Sequence, residues 1–280
     1  MAGYILENVN RLDGLIKNGN KMKIAVSGKG GVGKTLIAAG LACSFVDLGF
    51  KTIAIDADPS PNLALTLGLA PEMARKILPI SENKKLVESK TDTGYSGVYR
   101  LSFKVDDVVR EYSVNTPFGV NLIVMGTVKS MGSGCTCPEN AVVRALLRHL
   151  VVERDEAVVL DTEAGVEHMG RGTAKHVDTL LIVADANMKS LEIARHIQEL
   201  ASGSSIKQVY LVGNKVGDKA QEETIRNFAQ ENGLRILTFI PFDRTVVEME
   251  MRGETPLKER GSGAVRAING LASMLTGKSD

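Results

Sequence analysis

Three groups of residues in this 280-residue chain have types and spacings that could do chemistry. The first lies in Met22 to Thr35, MKIAVSGKGGVGKT, where Gly28, Gly33, Lys34 and Thr35 fit the G-x-x-x-x-G-K-[ST] phosphate-loop pattern. Glycines let the backbone N–H groups of Gly30, Gly31, Val32 and Gly33 turn inward on phosphate oxygens. Lys34 then reaches the β- and γ-phosphates and the Thr35 hydroxyl ligates Mg²⁺. The second group is three carboxylates, Asp56, Asp58 and Asp161, each at or just past the end of an apolar run. The third is the pair Cys135 and Cys137 in GSGCTCPEN.

Two cysteines spaced i, i+2 in a glycine loop can point their sulfurs the same way. A helix opening at Pro138, with Glu139 in its first turn, lowers the thiol pKa and favours thiolates, the form that binds metal. A disulfide between residues i and i+2 is strained. One pair supplies two ligands, whereas a soft divalent ion takes four. A symmetric dimer supplies them from a Cys135–Cys137 pair on each chain; the ligand chemistry supports only a soft divalent ion, and thiolates bind zinc well.

The elements that must hold these groups are legible as alternating strands and helices. Met22 opens a buried strand and Lys34 an apolar-periodic helix that ends at Gly49. Further strands are expected at Lys51–Asp58, Val120–Met125, Ala157–Asp161, Leu180–Val183, Val209–Val212 and Leu237–Ile240. Helices are expected over Asn62–Leu69, from Pro138, and over Gly263–Leu275, with Cys43 as core packing in the first helix. The alternation predicts an α/β fold, a doubly wound, mostly parallel sheet with helices on both faces. Residues 22–280 are read as one domain with an insertion at about 71–120 on the switch side, the stretch Pro71–Tyr112 being charged, turn-prone and without strong period. Residues 1–21 form a weakly patterned lead-in that is foreign to the domain if Met22 is the natural start, or a surface helix carrying Ile5, Val9, Leu12 and Ile16.

Composition narrows the function. A net charge of +1 argues against a nucleic-acid surface spread over the whole protein, and 4% aromatics without Trp argue against stacking platforms for single strands. No run approaches a bilayer span, no signal peptide is evident, and the third cysteine, Cys43, makes an odd count. The expectation is a cytoplasmic protein that binds neither nucleic acid nor membrane, with free thiols.

The second lysine of the loop, Lys29 in K-G-G-V-G-K-T, is one that ordinary phosphate loops do not need. The segment resembles the deviant Walker A loop of the MinD/ParA/nitrogenase-iron-protein class of P-loop ATPases. That resemblance implies that Lys29 crosses a dimer interface to the partner's ATP. D-A-D-P-S-P-N-L at Asp56–Leu63 is similar to the switch I signature, so Asp58 is implied to orient the attacking water and Asp56 to support the Mg²⁺ shell. AVVLD resembles a Walker B strand, with Asp161 holding Mg²⁺ through water, and Thr162–Gly165 resembles switch II. Asn214 and Lys215 stand where the class recognises adenine, and Pro241 to Asp243 where a segment closes over the base. One departure is Leu36, where the class usually has Thr or Ser, so a hydroxyl contact to the α-phosphate is missing. GSGCTCPEN followed by DTEAGVEHMGRGT at Asp161–Thr173 is similar to the carbon monoxide dehydrogenase accessory ATPases, the CooC nickel-insertion proteins, from Met22 onward. This resemblance implies a homodimer that carries Ni²⁺, with carbon monoxide dehydrogenase as client. His168 in that motif reads as a polar contact near switch II rather than a ligand. Rival readings are a ParA/MinD-type positioning switch, against which the C-x-C pair and the non-basic C-terminal helix speak, and an iron–sulfur carrier.

These assignments separate in mutants. Lys34→Ala is expected to abolish productive ATP binding, and Asp58→Ala to keep ATP bound but lose turnover. Lys29→Ala should bind ATP and hydrolyse it slowly, by ~10³-fold if its cation acts like an arginine finger. Mixing Lys29→Ala with Asp58→Ala subunits should restore activity. Equal loss of binding in the Lys34 and Asp58 variants, or no recovery in mixed dimers shown to form, would remove the corresponding role.

Overall fold

The computed structural model describes residues 22–58, 60–83, 85–86, 105–126, 156–162, 177–204 and 206–278. The strands are β1 (Met22–Gly28), β2 (Thr52–Asp56), β3 (Val114–Asn115), β4 (Asn121–Val124), β5 (Ala157–Asp161), β6 (Thr179–Ala184), β7 (Gln208–Val216) and β8 (Ile236–Pro241). The helices are α1 (Lys34–Asp47), α2 (Leu63–Thr66), α3 (Pro71–Ala74), α4 (Val105–Tyr112), α5 (Met188–Ser202), α6 (Lys219–Glu231), α7 (Arg244–Met251) and α8 (Gly263–Thr276). The strands make one sheet in the order β3-β4-β2-β5-β1-β6-β7-β8, parallel except for β3 against β4. This is the doubly wound, mostly parallel sheet expected from the sequence.

The central strands are apolar on both sides because both faces are covered. Ile24, Val26, Val159, Leu181 and Val183 join α1 and α8 in one core, around Phe45, Ile268 and Leu271. Ala25, Val158, Leu160, Leu180 and Ile182 point the other way, onto Leu191, Ala194 and Ile197 of α5 and Ile225 and Phe228 of α6. From β1 the chain passes through α1 to β2 on one side of the sheet, and from β6 through α5 to β7 on the other. Connections that run in opposite directions with one handedness put their helices on opposite faces. The reversal at β1 opens a crevice at the carboxyl ends of the strands, where Gly28, Asp56 and Asp161 all lie.

Several boundaries differ from expectation for local reasons. β2 ends at Asp56, because the Asp56 carboxylate accepts the N–H groups of Asp58 (3.2 Å) and Leu63 (2.9 Å) and turns the chain. α2 is a single turn, stopped by Gly68 at φ +81°. Its last carbonyl region is tied down from afar, the Thr255 hydroxyl donating to Thr66 O at 2.5 Å. The stretch read as irregular contains the two-turn helix α4, and the short antiparallel strand β3 follows just beyond it. Its Ile80, Leu86 and Val109 are buried in the α5–α6 core. α1 ends as expected, with Gly49 at φ +86° and the Phe50 N–H donating to Phe45 O at 2.8 Å.

Gly40 lies where α1 packs on α8. A Cβ there would meet Ile268 Cγ2 at 2.7 Å and Leu257 Cδ2 at 3.4 Å, both in the buried core. Alanine in a helix interior gains ~1 kcal/mol over glycine, but overpacking a rigid core costs ~1–3 kcal/mol. Gly40→Ala is therefore expected to lower stability by about 1 kcal/mol, and to cost less when combined with Ile268→Ala than the sum of the two singles. Urea unfolding of the four proteins measures this, and a stabilised Gly40→Ala would show that α8 yields.

Candidate nucleotide and cation site

β1 runs into the loop through a glycine that nothing else could replace. Gly28 sits at φ +148°, and a Cβ on it would lie 2.2 Å from Val183 O of neighbouring β6. Gly31 and Gly33 are left-handed, at φ +82° and +95°. Gly33 is the N-cap of α1 and offers no side chain to its first turn, which carries no acidic residue. By contrast Asn187, Asp218, Asp243 and Ser262 cap α5, α6, α7 and α8 with side-chain oxygens. The first amides of α1 are thus left for an anion, at the positive end of a helix dipole. Lys34 opens that helix almost fully buried, its ammonium 3.4 Å from Lys29 O. Lys29 and Thr35 are partly exposed, and Gly30 is exposed. Val32 and Leu36 are buried in the core, so Leu36 has only its backbone to offer a nucleotide.

Asp56 and Asp161 stand side by side as register partners at the ends of β2 and β5. Asp161 is buried, and neither carboxylate oxygen completes a hydrogen bond among the described residues, although the Thr35 hydroxyl and the Lys34 cation face it and favour its charged form. Burial outweighs them and, with the nearby Asp56 and Asp58 charges, pushes its pKa up to about 7. Asp56 is raised to about 6, again chiefly by burial, against the Leu63 and Asp58 N–H groups that lower it. Beneath them Thr162 ties β5 to β1, its hydroxyl donating to Val26 O at 3.0 Å. Asp58 lies at the partly exposed rim and accepts the Ser60 N–H at 2.8 Å. An oxygen-only set of two buried carboxylates and a hydroxyl, one carboxylate without a completed hydrogen bond among the described residues, fits a hard cation such as Mg²⁺.

The residues expected around adenine contact the phosphate loop. Asn214 donates from Nδ2 to Val32 O at 2.7 Å and Lys215 from Nζ to Gly31 O at 2.8 Å. Sequence reading did not reveal this, and its one trace is a buried Asn at the end of an apolar strand. The Asp243 carboxylate is already engaged, accepting from the Ser262 hydroxyl (2.6 Å), Ala264 N–H (3.3 Å) and Thr245 N–H (2.9 Å), and these bonds hold its pKa down to about 2. Pro241 ends β8 and is exposed. Cys135, Cys137, Pro138, His168 and residues 163–165 lie outside the described residues. Cys43 packs half-buried against the α1 core, its thiol pushed up to about 12 by burial, as suits a packing residue.

Residues 23–257 match the CobQ/CobB/MinD/ParA nucleotide binding domain. The chain is 42% identical over 234 residues to the carbon monoxide dehydrogenase accessory protein CooC of Rhodospirillum rubrum, covering 83% of this chain and 88% of that protein. The chain is a CooC-like member of the MinD/ParA family of deviant Walker A P-loop ATPases. An uncharacterised ATP-binding protein of Methanocaldococcus jannaschii is 41% identical over 238 residues, covering 83% of this chain and 90% of that one. The fold of this CooC-like chain is shared with MinD in the MinC:MinD complex of Aquifex aeolicus (TM-score 0.68, 19% identity, 92% and 97% coverage). It is shared too with MinD of Pyrococcus horikoshii complexed with Mg-ADP (TM-score 0.64, 17% identity, 90% and 95% coverage). ATP and Mg²⁺ are the ligands that fit this family. No helix among the described residues is long and apolar enough to cross a membrane.

The raised carboxyls of this CooC-like site make stability depend on pH. A folded state that holds these protons more tightly than the unfolded chain loses stability as pH rises from about 4 through about 7. Asp161→Asn removes the larger of the two charges' costs. In metal-free buffer at pH 8 it should be more stable than the parent, by at most about 4 kcal/mol, with the difference shrinking toward pH 5. Urea midpoints at the two pH values measure it, and a destabilised Asp161→Asn at pH 8 would mean the carboxylate already has a partner.

Proposed function

We propose that the chain hydrolyses Mg-ATP as a homodimer in the cytoplasm and uses the cycle to deliver nickel during maturation of carbon monoxide dehydrogenase. The observation that carries the ATPase part is the buried Asp161 carboxylate, without a completed hydrogen bond among the described residues, beside Thr35 and Asp56 at the mouth of an uncapped helix. Mg²⁺ bound there with ATP supplies positive charge to the phosphate oxygens. Thr35, Asp56 and Asp161 would hold it. The loop amides and Lys34 orient the triphosphate, and Lys29 of each chain reaches the partner's nucleotide. Asp58, at the rim and held by Ser60 N–H, positions the attacking water. With so little covalent work for the protein, such positioning and charge are most of the catalysis.

The delivery part rests on Cys135 and Cys137, and on the 42% identity to a carbon monoxide dehydrogenase accessory protein. Two thiolates per chain leave a soft ion's shell half filled, so the ion belongs to the dimer. Zinc competes at thiolates and would occupy the same place in vitro. ATP draws the subunits together through the Lys29 face, which couples nucleotide to metal. By linkage, nickel changes ATP affinity by the factor that ATP changes nickel affinity.

Titrating Ni²⁺ into metal-free protein, with and without ATP, while following subunit mass tests this reading. One ion per two chains is expected, with binding lost in both Cys135→Ser and Cys137→Ser. One tight ion per monomer, indifferent to Cys135→Ser, would sink the shared site and the delivery role with it.

A further inference from the structure

Asn214 and Lys215 sit in an irregularity of the sheet. The pairing of β7 with β8 shifts between Gly213 and Val216, so these two residues stand outside the regular ladder. Lys215 is the one non-glycine residue at positive φ among the described residues, at +58°. A bulge re-aims side chains, and a strained backbone persists only where its surroundings hold it. Here both side chains are aimed at the same target. Asn214, buried, donates to Val32 O, and exposed Lys215 donates to Gly31 O. Asn214 also fills the space beside Gly33, where a Cβ would lie 2.4 Å from its Nδ2.

In a trans peptide the carbonyl of one residue and the N–H of the next point in opposite directions. Drawing Gly31 O and Val32 O outward onto β7 therefore turns the N–H groups of Val32 and Gly33 to the inner side of the loop. The Val32 N–H meets only a long contact there, to Lys29 O at 3.4 Å, which a phosphate oxygen can replace. We propose that Asn214 and Lys215 are positioning residues that clamp the phosphate loop from behind and preset the Val32 and Gly33 amides for phosphate, whatever else they do for a base. The clamp rests on the reading of this loop as a phosphate site.

A ligand without a base separates the clamp from base recognition. Binding of Mg-ATP and of Mg-tripolyphosphate is measured on the full chain, on Asn214→Ala, and on Lys215→Ala and Lys215→Arg. Each alanine variant should weaken both ligands by a similar factor, on the order of tenfold for one lost hydrogen bond to the loop. Lys215→Arg, which keeps a cationic donor, should retain most of the affinity for both. Lys215 is exposed, so its variants should keep the parent urea midpoint, and they decide the question alone if Asn214→Ala fails to fold. Weakened ATP with unchanged tripolyphosphate would assign both residues to the base and overturn the clamp, as would no change in either ligand. If the parent protein binds neither ligand, the phosphate site itself is misread and the clamp falls with it.

Discussion

A carboxylate taken out of water needs a counter-charge, and at Asp161 the facing Lys34 cation does not offset the burial. Its neighbours are a hydroxyl, a lysine committed to the loop and a second carboxylate, Asp56, that is itself buried. Desolvation of this kind costs several kcal/mol per ion, more than a fold with a total stability of ~5–15 kcal/mol spends without return. The parallel sheet fixes the problem in place, because the register of β2 with β5 sets the two acids abreast and β1 brings Lys34 and Thr35 to face them. Under the proposed function, what would resolve the charge is a cation carried by a polyphosphate. The uncapped α1 and the glycine loop would then receive that polyphosphate's own charge.

Folding chemistry and binding chemistry are kept apart by the topology. The two cores lie on opposite faces of the sheet and are built from aliphatic side chains, while the titratable groups of the site gather at one end of the strands. Leu36 marks the border. The position where the resemblance implied a hydroxyl is given over to the α1 core, so its side chain has none to offer a ligand.

What could be read in advance were the features that live in short stretches. Gly28 to Thr35, the apolar strands ending in Asp56 and Asp161, and Gly49 at the end of α1 each announce themselves within a few residues. The helix α4 escaped although Val105, Val108, Val109 and Tyr112 repeat at helical spacing, because charged, turn-prone sequence precedes it. The strand β3 is two residues long and has no period to detect. The contact of Asn214 with Val32 spans 182 positions and depends on a bulge, which only the assembled sheet creates. The cysteine pair was the reverse case, conspicuous in sequence but lying outside the described residues.

Helix α2 has a consequence of another kind. Four residues cannot pay the nucleation cost of a helix by themselves. This turn exists because its start hangs from the Asp56 carboxylate through Leu63 N–H and its end from the Thr255 hydroxyl through Thr66 O. It is a tensioned bridge with one anchorage in the cation site and the other in the segment behind β8. Slackening either anchorage frees one end of the span while Leu63 and Leu67 stay packed in the core, so strain at one end is felt at the other.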